Sequence, residues 1–333
     1  MFSIIFPGQG SQSIGMAKEF YEKYSLVKNI FSRADEALNF NLSKIILNGP
    51  ISEINLTKNT QPAIFVVSYS IFSVMKKEFN INLNQANYFA GHSLGEYSAL
   101  VCANSLQFEE AVCLLHARGK FMQEAVPSGK GAMLAVLGLE LKKILEQINS
   151  ISINGICEVA NDNSPGQIVI SGDKNSIQIL QDSLKKKSIR GIILPVSAPF
   201  HCSLMESAEK KMSQKITESL FKNPKPPIIS NVTAKAENKV NKIKELLIKQ
   251  ITTRVRWRES IEYMIENGVN EFIEIEFNFS KIFFNSKPNT ANMAPLPDGT
   301  ASCINLPLAC NKQTASSNCK ELAQTKAEYS PSE

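Results

Sequence analysis

Short apolar runs alternate along the chain with longer segments in which apolar residues recur at helical spacing. The run at residues 2–6 precedes a helical pattern that begins near Met16, and the run at 88–90 precedes another that begins at Gly95. Buried parallel strands have this continuous apolar character, and the helices that connect them have a period of about 3.6 residues. The alternation predicts an α/β fold with a parallel sheet.

A second pattern begins after the turn-rich residues 127–131. The segments that follow are a strand at 132–137, a helix near 141–148, a strand at 167–171, a helix near 174–187 and a strand at 191–196. This β-α-β-α-β order predicts a small inserted subdomain. We therefore expect residues 1–127 and 198–284 to form one discontinuous core, with the subdomain at 128–197.

Residues 285–333 differ from the rest of the chain. They are rich in Pro, Ser, Thr, Ala, Asn and Cys and lack a sustained apolar period. Such segments bury too little apolar surface to offset the entropy lost on ordering. We expect this tail to be poorly ordered.

The composition excludes several classes of protein. The chain is 43% hydrophobic and 20% charged, and its net charge of +5 is dispersed rather than gathered into basic patches with aromatic residues. No apolar stretch approaches the roughly 20 residues that span a bilayer, and the first residues lack the basic region of a signal peptide. We expect a cytoplasmic monomer that binds neither nucleic acid nor membrane.

The metal-binding residue types show no ligand pattern. The seven cysteines contain no C-x-x-C pair, and the three histidines are not spaced as zinc ligands. We expect reduced thiols and no bound metal.

Residues 91–95, Gly-His-Ser-Leu-Gly, match the G-x-S-x-G nucleophile elbow. They lie between an apolar strand pattern and a helical run, as the motif requires. The glycines allow a sharp turn that exposes the Ser93 hydroxyl, and the Leu94 amide at the helix start can face a developing oxyanion. The alternative is a tight strand-to-helix turn with an incidental serine.

A serine nucleophile needs a base, and the chain has three histidines. His92 is expected to point away from Ser93, and His116 lies inside a predicted helix. His201 precedes a helix predicted to begin near Ser203, so we expect it on a loop at a helix N-terminus. The helix dipole there favours the neutral imidazole that a base requires. The alternative is a structural histidine.

Arg118 lies on a helical face whose other members, Ala111, Leu115 and Met122, are apolar. A guanidinium in that position needs an anion. The partner is either an internal Asp or Glu or a substrate carboxylate held by two parallel hydrogen bonds. The spacing leaves both open.

The loop at residues 6–12 follows the first predicted strand. It is not a dinucleotide fingerprint, because Ser13 stands where the third glycine would be required. Gln9 lies between two glycines, and we expect its backbone amide to approach a substrate closely.

Together these motifs resemble those of the bacterial malonyl-CoA:acyl carrier protein transacylases of fatty acid synthesis. The resemblance runs from Phe6 to about Ile275. Its markers are residues 6–12 (Phe-Pro-Gly-Gln-Gly-Ser-Gln), 60–63 (Thr-Gln-Pro-Ala), 91–99, 118–127, 163–167 (Asn-Ser-Pro-Gly-Gln) and 199–201 (Pro-Phe-His).

The resemblance implies a hydrolase-like α/β core with a ferredoxin-like subdomain at about residues 128–197. It implies transfer of a malonyl group from malonyl-CoA to the phosphopantetheine thiol of acyl carrier protein through an ester on serine. Both molecules are substrates, and no metal or redox cofactor is implied. Phe200 resembles the malonyl-selective version of the family.

The resemblance also implies residue roles. Ser93 would be the nucleophile and His201 the base, oriented by the backbone carbonyl of Gln250 rather than by an acid. The amides of Gln9 and Leu94 would form the oxyanion hole. Arg118 would hold the malonyl carboxylate.

After Ile275 the sequence departs from the family, which continues with a Gly-Pro-Gly turn and a closing helix. Two alternatives to this function stay open. One is a serine esterase or thioesterase, in which water takes the acyl group; Arg118 and the missing acid argue against it. The other is a catalytically impaired module that binds carrier protein, against which the intact Ser93 and His201 argue.

Overall fold

The structure is a computed structural model that describes residues 1–151, 154–276 and 282–284. The strands are β1 (Phe2–Phe6), β2 (Tyr88–Gly91), β3 (Gly131–Leu137), β4 (Cys157–Ser164), β5 (Gln167–Asp173), β6 (Arg190–Ile193), β7 (Ile228–Ile229), β8 (Ala236–Glu237), β9 (Glu271–Glu274) and β10 (Ile282–Phe284). The α-helices are α1 (Lys18–Lys23), α2 (Ser25–Leu38), α3 (Leu42–Asn48), α4 (Ile51–Ile54), α5 (Thr57–Lys77), α6 (Gly95–Cys102), α7 (Phe108–Glu124), α8 (Leu141–Ser150), α9 (Lys174–Lys186), α10 (Glu206–Glu218), α11 (Val240–Lys249) and α12 (Trp257–Glu266). Short 3₁₀ turns occupy Leu83–Gln85 and Ser203–Met205.

The larger sheet has the strand order β10-β9-β1-β2-β7-β8. Its four central strands, β9, β1, β2 and β7, are parallel to one another. Strands β10 and β8 pair antiparallel at the two edges. The α/β fold with a parallel sheet that the sequence predicted is therefore confirmed.

Both faces of this sheet are covered by helices. Ile4 and Phe6 of β1 pack into the main core with α2, α5, α6 and α7, whereas Ile5 packs on the opposite face against residues of α12. Successive side chains of a strand point to opposite faces, so a strand buried on both sides must be apolar throughout. This explains why the sequence shows continuous apolar runs here rather than alternation.

The smaller sheet is antiparallel, with the order β4-β5-β3-β6. With α8 and α9 it follows the β-α-β-β-α-β order of ferredoxin-like units. The β-α-β-α-β order predicted from the sequence is wrong, because it missed β4, and β6 ends before the predicted residue 196. The domain boundaries at 128 and 197 stay a prediction.

Strand β4 was not predicted from the sequence, because its second half is polar yet buried. Asn161, Asp162 and Asn163 are all at most 6% exposed. Their partners lie far away in the chain: Arg258 forms two hydrogen bonds to the Asp162 carboxylate, at 3.2 and 2.8 Å. Buried polar groups are tolerated when they are paired, but the pairing cannot be seen in an apolar pattern.

None of the helices in the described ranges is long and apolar enough to cross a membrane. The predicted tail, residues 285–333, lies outside the described residues, as do residues 277–281.

Candidate active site

Ser93 stands on the turn between β2 and α6, with a positive φ of 53°. A non-glycine residue in this left-handed region is uncommon and strained. The turn is tight enough that a Cβ on Gly91 would lie 1.9 Å from the carbonyl carbon of Gly95. A Cβ on Gly95 would lie 2.7 Å from the carbonyl oxygens of Phe6 and Pro7. Only glycine fits at either position, and the elbow presses against the loop that leaves β1.

Replacing Gly91 with alanine is expected to lower the free energy of unfolding by about 2–3 kcal/mol, because the added methyl group would overlap backbone that cannot move aside. Chemical denaturation measures this. Gly191→Ala is the matched control: its Cβ would meet only the Leu134 side chain, at 3.1 Å. Equal losses in the two variants would contradict the argument.

Ser93, His201 and the backbone of Gln250 form a hydrogen-bonded chain. His201 Nε2 lies 2.8 Å from Ser93 Oγ, and His201 Nδ1 lies 2.8 Å from the Gln250 carbonyl oxygen. A carbonyl can only accept, so Nδ1 carries the proton and Nε2 presents its lone pair to the hydroxyl. The arrangement holds a neutral imidazole ready to take the Ser93 proton.

The pKa of His201 is lowered to about 3. Burial is the largest cause, and the positive charge of Arg118 lowers the pKa further, while the Gln250 carbonyl raises it. His201 precedes the turn Ser203–Met205 and α10, as expected. Burial, rather than the helix dipole invoked from the sequence, is the main reason why the imidazole stays neutral.

Arg118 is 1% exposed and its guanidinium reaches the nucleophile. Its Nη2 donates to Ser93 Oγ at 3.0 Å and to Gln250 Oε1 at 2.8 Å, and its Nη1 donates to Gln61 Oε1 at 2.8 Å. Within the described ranges it forms no ion pair with a carboxylate. Its Nε is a buried donor that lacks an acceptor there. The internal acid considered from the sequence is therefore not observed.

Close helix packing brings Arg118 to this position. The neighbouring Gly119 lets α7 approach the start of α5, since a Cβ on Gly119 would lie 2.4 Å from the Thr57 carbonyl oxygen. Gln61 is one turn further along α5, where it meets the guanidinium.

Two buried residues that sequence analysis did not select complete the network. Asn231 Oδ1 accepts from the Ser93 backbone N–H at 2.7 Å, and Asn231 Nδ2 donates to the Gly91 carbonyl oxygen at 2.8 Å. Glu96 Oε2 accepts from Asn231 N at 3.0 Å and from Gln250 Nε2 at 2.8 Å. The available signal for Asn231 was its position two residues after the buried strand β7, at the carboxyl edge of the parallel sheet.

The two residues expected to form an oxyanion hole lie in the elbow and in the loop beside it. Leu94 immediately precedes α6, at the positive end of the helix. Gln9 lies in the loop after β1, where a Cβ on the adjacent Gly8 would be 2.7 Å from His92 Nδ1. The structure brings the loop and the elbow together, and the role of the two amides stays a prediction.

The other two histidines have different partners. His92 Nε2 lies 3.0 Å from Asn163 Oδ1, and His116 packs against the ring of Phe40. Among the residues described, no group of His, Cys, Asp or Glu side chains is arranged to hold a metal ion.

A parallel-sheet fold with a serine–histidine pair at a nucleophile elbow defines a class of serine-nucleophile α/β enzymes. Residues 3–279 match the family model of the acyl transferase domain. The malonyl CoA-acyl carrier protein transacylase of Bacillus subtilis (strain 168) is 42% identical over 275 residues, which are 82% of this chain and 86% of that protein. The chain belongs to the acyl transferase family, and within it to the malonyl CoA-acyl carrier protein transacylases.

Solved structures agree with this assignment. An acyl carrier protein S-malonyltransferase from Vibrio cholerae O1 biovar eltor str. N16961 superposes with a TM-score of 0.79 at 40% identity, covering 83% of this chain and 89% of that one. A malonyl-transacylase in complex with its type II PKS acyl-carrier protein gives a TM-score of 0.79 at 38% identity, covering 83% and 88%. The family resemblance found in the sequence is confirmed.

Proposed function

We propose that this protein transfers a malonyl group from malonyl-CoA to the phosphopantetheine thiol of acyl carrier protein through an ester on Ser93. One observation carries the proposal: Ser93 Oγ has a neutral base, His201, at 2.8 Å and a buried cation, Arg118, at 3.0 Å. The names of the relatives supply the two substrates.

In the first half-reaction His201 Nε2 takes the Ser93 proton as Oγ attacks the thioester carbonyl. The tetrahedral intermediate collapses, the carbon–sulfur bond breaks, and the imidazolium returns the proton to the leaving thiolate of coenzyme A. The Gln250 carbonyl accepts from Nδ1 at 2.8 Å and stabilises the imidazolium that forms. The amides of Gln9 and Leu94 donate to the oxyanion.

The second half-reaction runs through the same groups. His201 takes the proton of the phosphopantetheine thiol as its sulfur attacks the malonyl ester. When the bond between the acyl carbon and Ser93 Oγ breaks, the serine recovers a proton from the imidazolium. The enzyme returns to its starting state, and the malonyl group is on the carrier.

Arg118 selects the acyl group. Its buried Nε lacks an acceptor among the described residues. We expect the malonyl carboxylate to accept from Nε and from the adjacent Nη2 in parallel, and to replace the Nη2 bond to Ser93 Oγ. Acetyl-CoA offers no carboxylate, so it leaves the buried guanidinium without this partner. Binding of the correct substrate thereby also places the acyl group beside Ser93.

The proposal is tested by intact-protein mass spectrometry after brief incubation with malonyl-CoA, followed by addition of acyl carrier protein. We expect a malonyl adduct on the wild type and on Ser219→Ala, whose hydroxyl donates to the Lys215 carbonyl away from the site. We expect no malonyl adduct on Ser93→Ala. When acyl carrier protein is added, the adduct on the wild type should pass to the carrier.

The other outcomes separate the alternatives. An adduct that is lost to water and never reaches the carrier would favour a serine esterase or thioesterase. Absence of an adduct on protein shown to be folded would contradict transacylation and leave a module that only binds the carrier.

A further inference from the structure

Glu96 is a buried acid that the proposed reaction does not use. It lies in the first turn of α6 and is 1% exposed. A single oxygen, Oε2, accepts both of its hydrogen bonds, from the Asn231 backbone and from the Gln250 side chain. A fully buried carboxylate is costly unless it is paired, and both partners of Glu96 belong to the hydrogen-bond network around Ser93.

We propose that Glu96 is a positioning residue for acyl transfer: it fixes the Gln250 amide, and Gln250 in turn keeps both Arg118 and His201 at hydrogen-bonding distance from Ser93 Oγ. This inference rests on the proposed function.

The side-chain amide of Gln250 is held from both sides. Its Nε2 donates to Glu96 Oε2 at 2.8 Å and to the Ser93 carbonyl oxygen at 3.1 Å, while its Oε1 accepts from Arg118. Rotating the amide by half a turn would bring Oε1 against two acceptors and the NH₂ group against the guanidinium. Glu96 and Arg118 thus exclude the rotated amide from opposite sides.

Gln250 positions two groups of the site at once. Its side chain anchors the Arg118 guanidinium, and its backbone carbonyl anchors the His201 ring. A shift of this one residue therefore displaces both the group that holds the substrate carboxylate and the base.

A second connection runs from Glu96 through Asn231. Glu96 fixes the Asn231 backbone, and the Asn231 side chain in turn accepts from the Ser93 amide. Burial raises the pKa of Glu96 to about 7, against the hydrogen bonds from Asn231 and Gln250 and the charge of Arg118. Oε2 accepts both hydrogen bonds whether or not Oε1 carries a proton. The positions of Gln250 and Asn231 therefore depend on where Oε2 lies and not on the charge of the carboxyl group.

The test compares three substitutions at Glu96 for their initial acylation rates with malonyl-CoA and acetyl-CoA. Glu96→Gln keeps an oxygen at the place of Oε2, and we expect its ratio of malonyl to acetyl kcat/KM to stay within about threefold of wild type. Glu96→Ala removes the oxygen, and misplacement of Arg118 should lower that ratio by about tenfold or more. Glu96→Asp withdraws the carboxylate by one methylene and is expected to lower the ratio as well.

Asp162→Asn is the matched control, because Asp162 is also 1% exposed and hydrogen-bonded but contacts Arg258 instead of the catalytic network. We expect it to lose stability at an unchanged malonyl to acetyl ratio. If Glu96→Ala and Glu96→Asp both keep the wild-type ratio, Glu96 is only structural and the inference fails. If Glu96→Gln lowers the malonyl to acetyl ratio while Glu96→Asp keeps the wild-type ratio, the charge of the side chain matters rather than its position, and the inference also fails.

Failure of the proposed function gives a different result. Wild-type protein would then either form no malonyl adduct at Ser93 or lose the adduct to water without passing it to the carrier, and neither result depends on the variants at position 96. Should Glu96→Ala not fold, the Gln and Asp variants decide the question by themselves.

Discussion

Replacing His201 with alanine is expected to slow malonylation of Ser93 by about 10³-fold, within the range that a general base contributes. The hydroxyl would then lose its proton acceptor, the His201 Nε2 atom at 2.8 Å. The Ser93 backbone would stay in place, because Asn231 rather than His201 holds its amide. Rapid-quench mass spectrometry of the acyl-enzyme measures the rate directly.

The pH profile adds an independent check on the base. Because the pKa of His201 is lowered to about 3, the folded protein keeps a neutral imidazole below pH 6.5, where an ordinary histidine gains a proton. We expect the acid limb of kcat/KM to lie well below that value in the wild type. A His116→Ala control should leave the rate unchanged, since His116 packs against Phe40. A His201→Ala rate close to that of wild type would contradict the assignment of the base.

Replacing Arg118 with alanine is expected to lower kcat/KM for malonyl-CoA by about 10²- to 10³-fold. The estimate corresponds to loss of two charge-assisted hydrogen bonds to a buried carboxylate. The rate with acetyl-CoA, which has no carboxylate, should fall far less. The preference between the two acyl groups should therefore largely disappear.

Arg118→Lys separates the charge from the geometry. Lysine keeps the positive charge but cannot donate two parallel bonds from one plane or hold Gln61 and Gln250 together. We expect most of the malonyl preference to be lost in this variant too, measured by competition between the two acyl-CoAs. An undiminished preference in Arg118→Ala would show that another group binds the malonyl carboxylate.

The elbow could be predicted from the sequence because its determinants are local. The apolar run, the two glycines and the serine lie within a few residues of one another, and Gly91 is required by backbone contact with Gly95. His201 could be found by elimination because only three histidines exist. Its protonation state could not be predicted in the same way, because it follows mainly from burial, which only the folded structure shows.

The surroundings of Arg118 could not be predicted in the same way. Helical spacing marked it as a cation on an apolar face, but besides Ser93 Oγ its acceptors are side-chain amide oxygens from α5 and from the end of α11. Neutral amides carry no charge pattern, so nothing in the sequence decided against an internal acid. Gln250 itself was available only through the family resemblance.

Polar residues that are buried and paired at long range were missed altogether. Asn231 was not selected from the sequence, yet its side chain accepts a hydrogen bond from the Ser93 amide. Strand β4 was missed for the same reason, since Asp162 and Asn163 look like loop residues until Arg258 and His92 are placed beside them.

Strand β4 also limits how the enzyme can move. Its residue Asn161 forms a parallel bridge with Val255 of the core, Asp162 pairs with Arg258, and Glu158 accepts from the backbone and hydroxyl of Ser203. A hinge between the two sheets would have to break all of these contacts together. We therefore expect the smaller sheet to stay fixed against the larger one during the reaction rather than to open and close over the site as a lid.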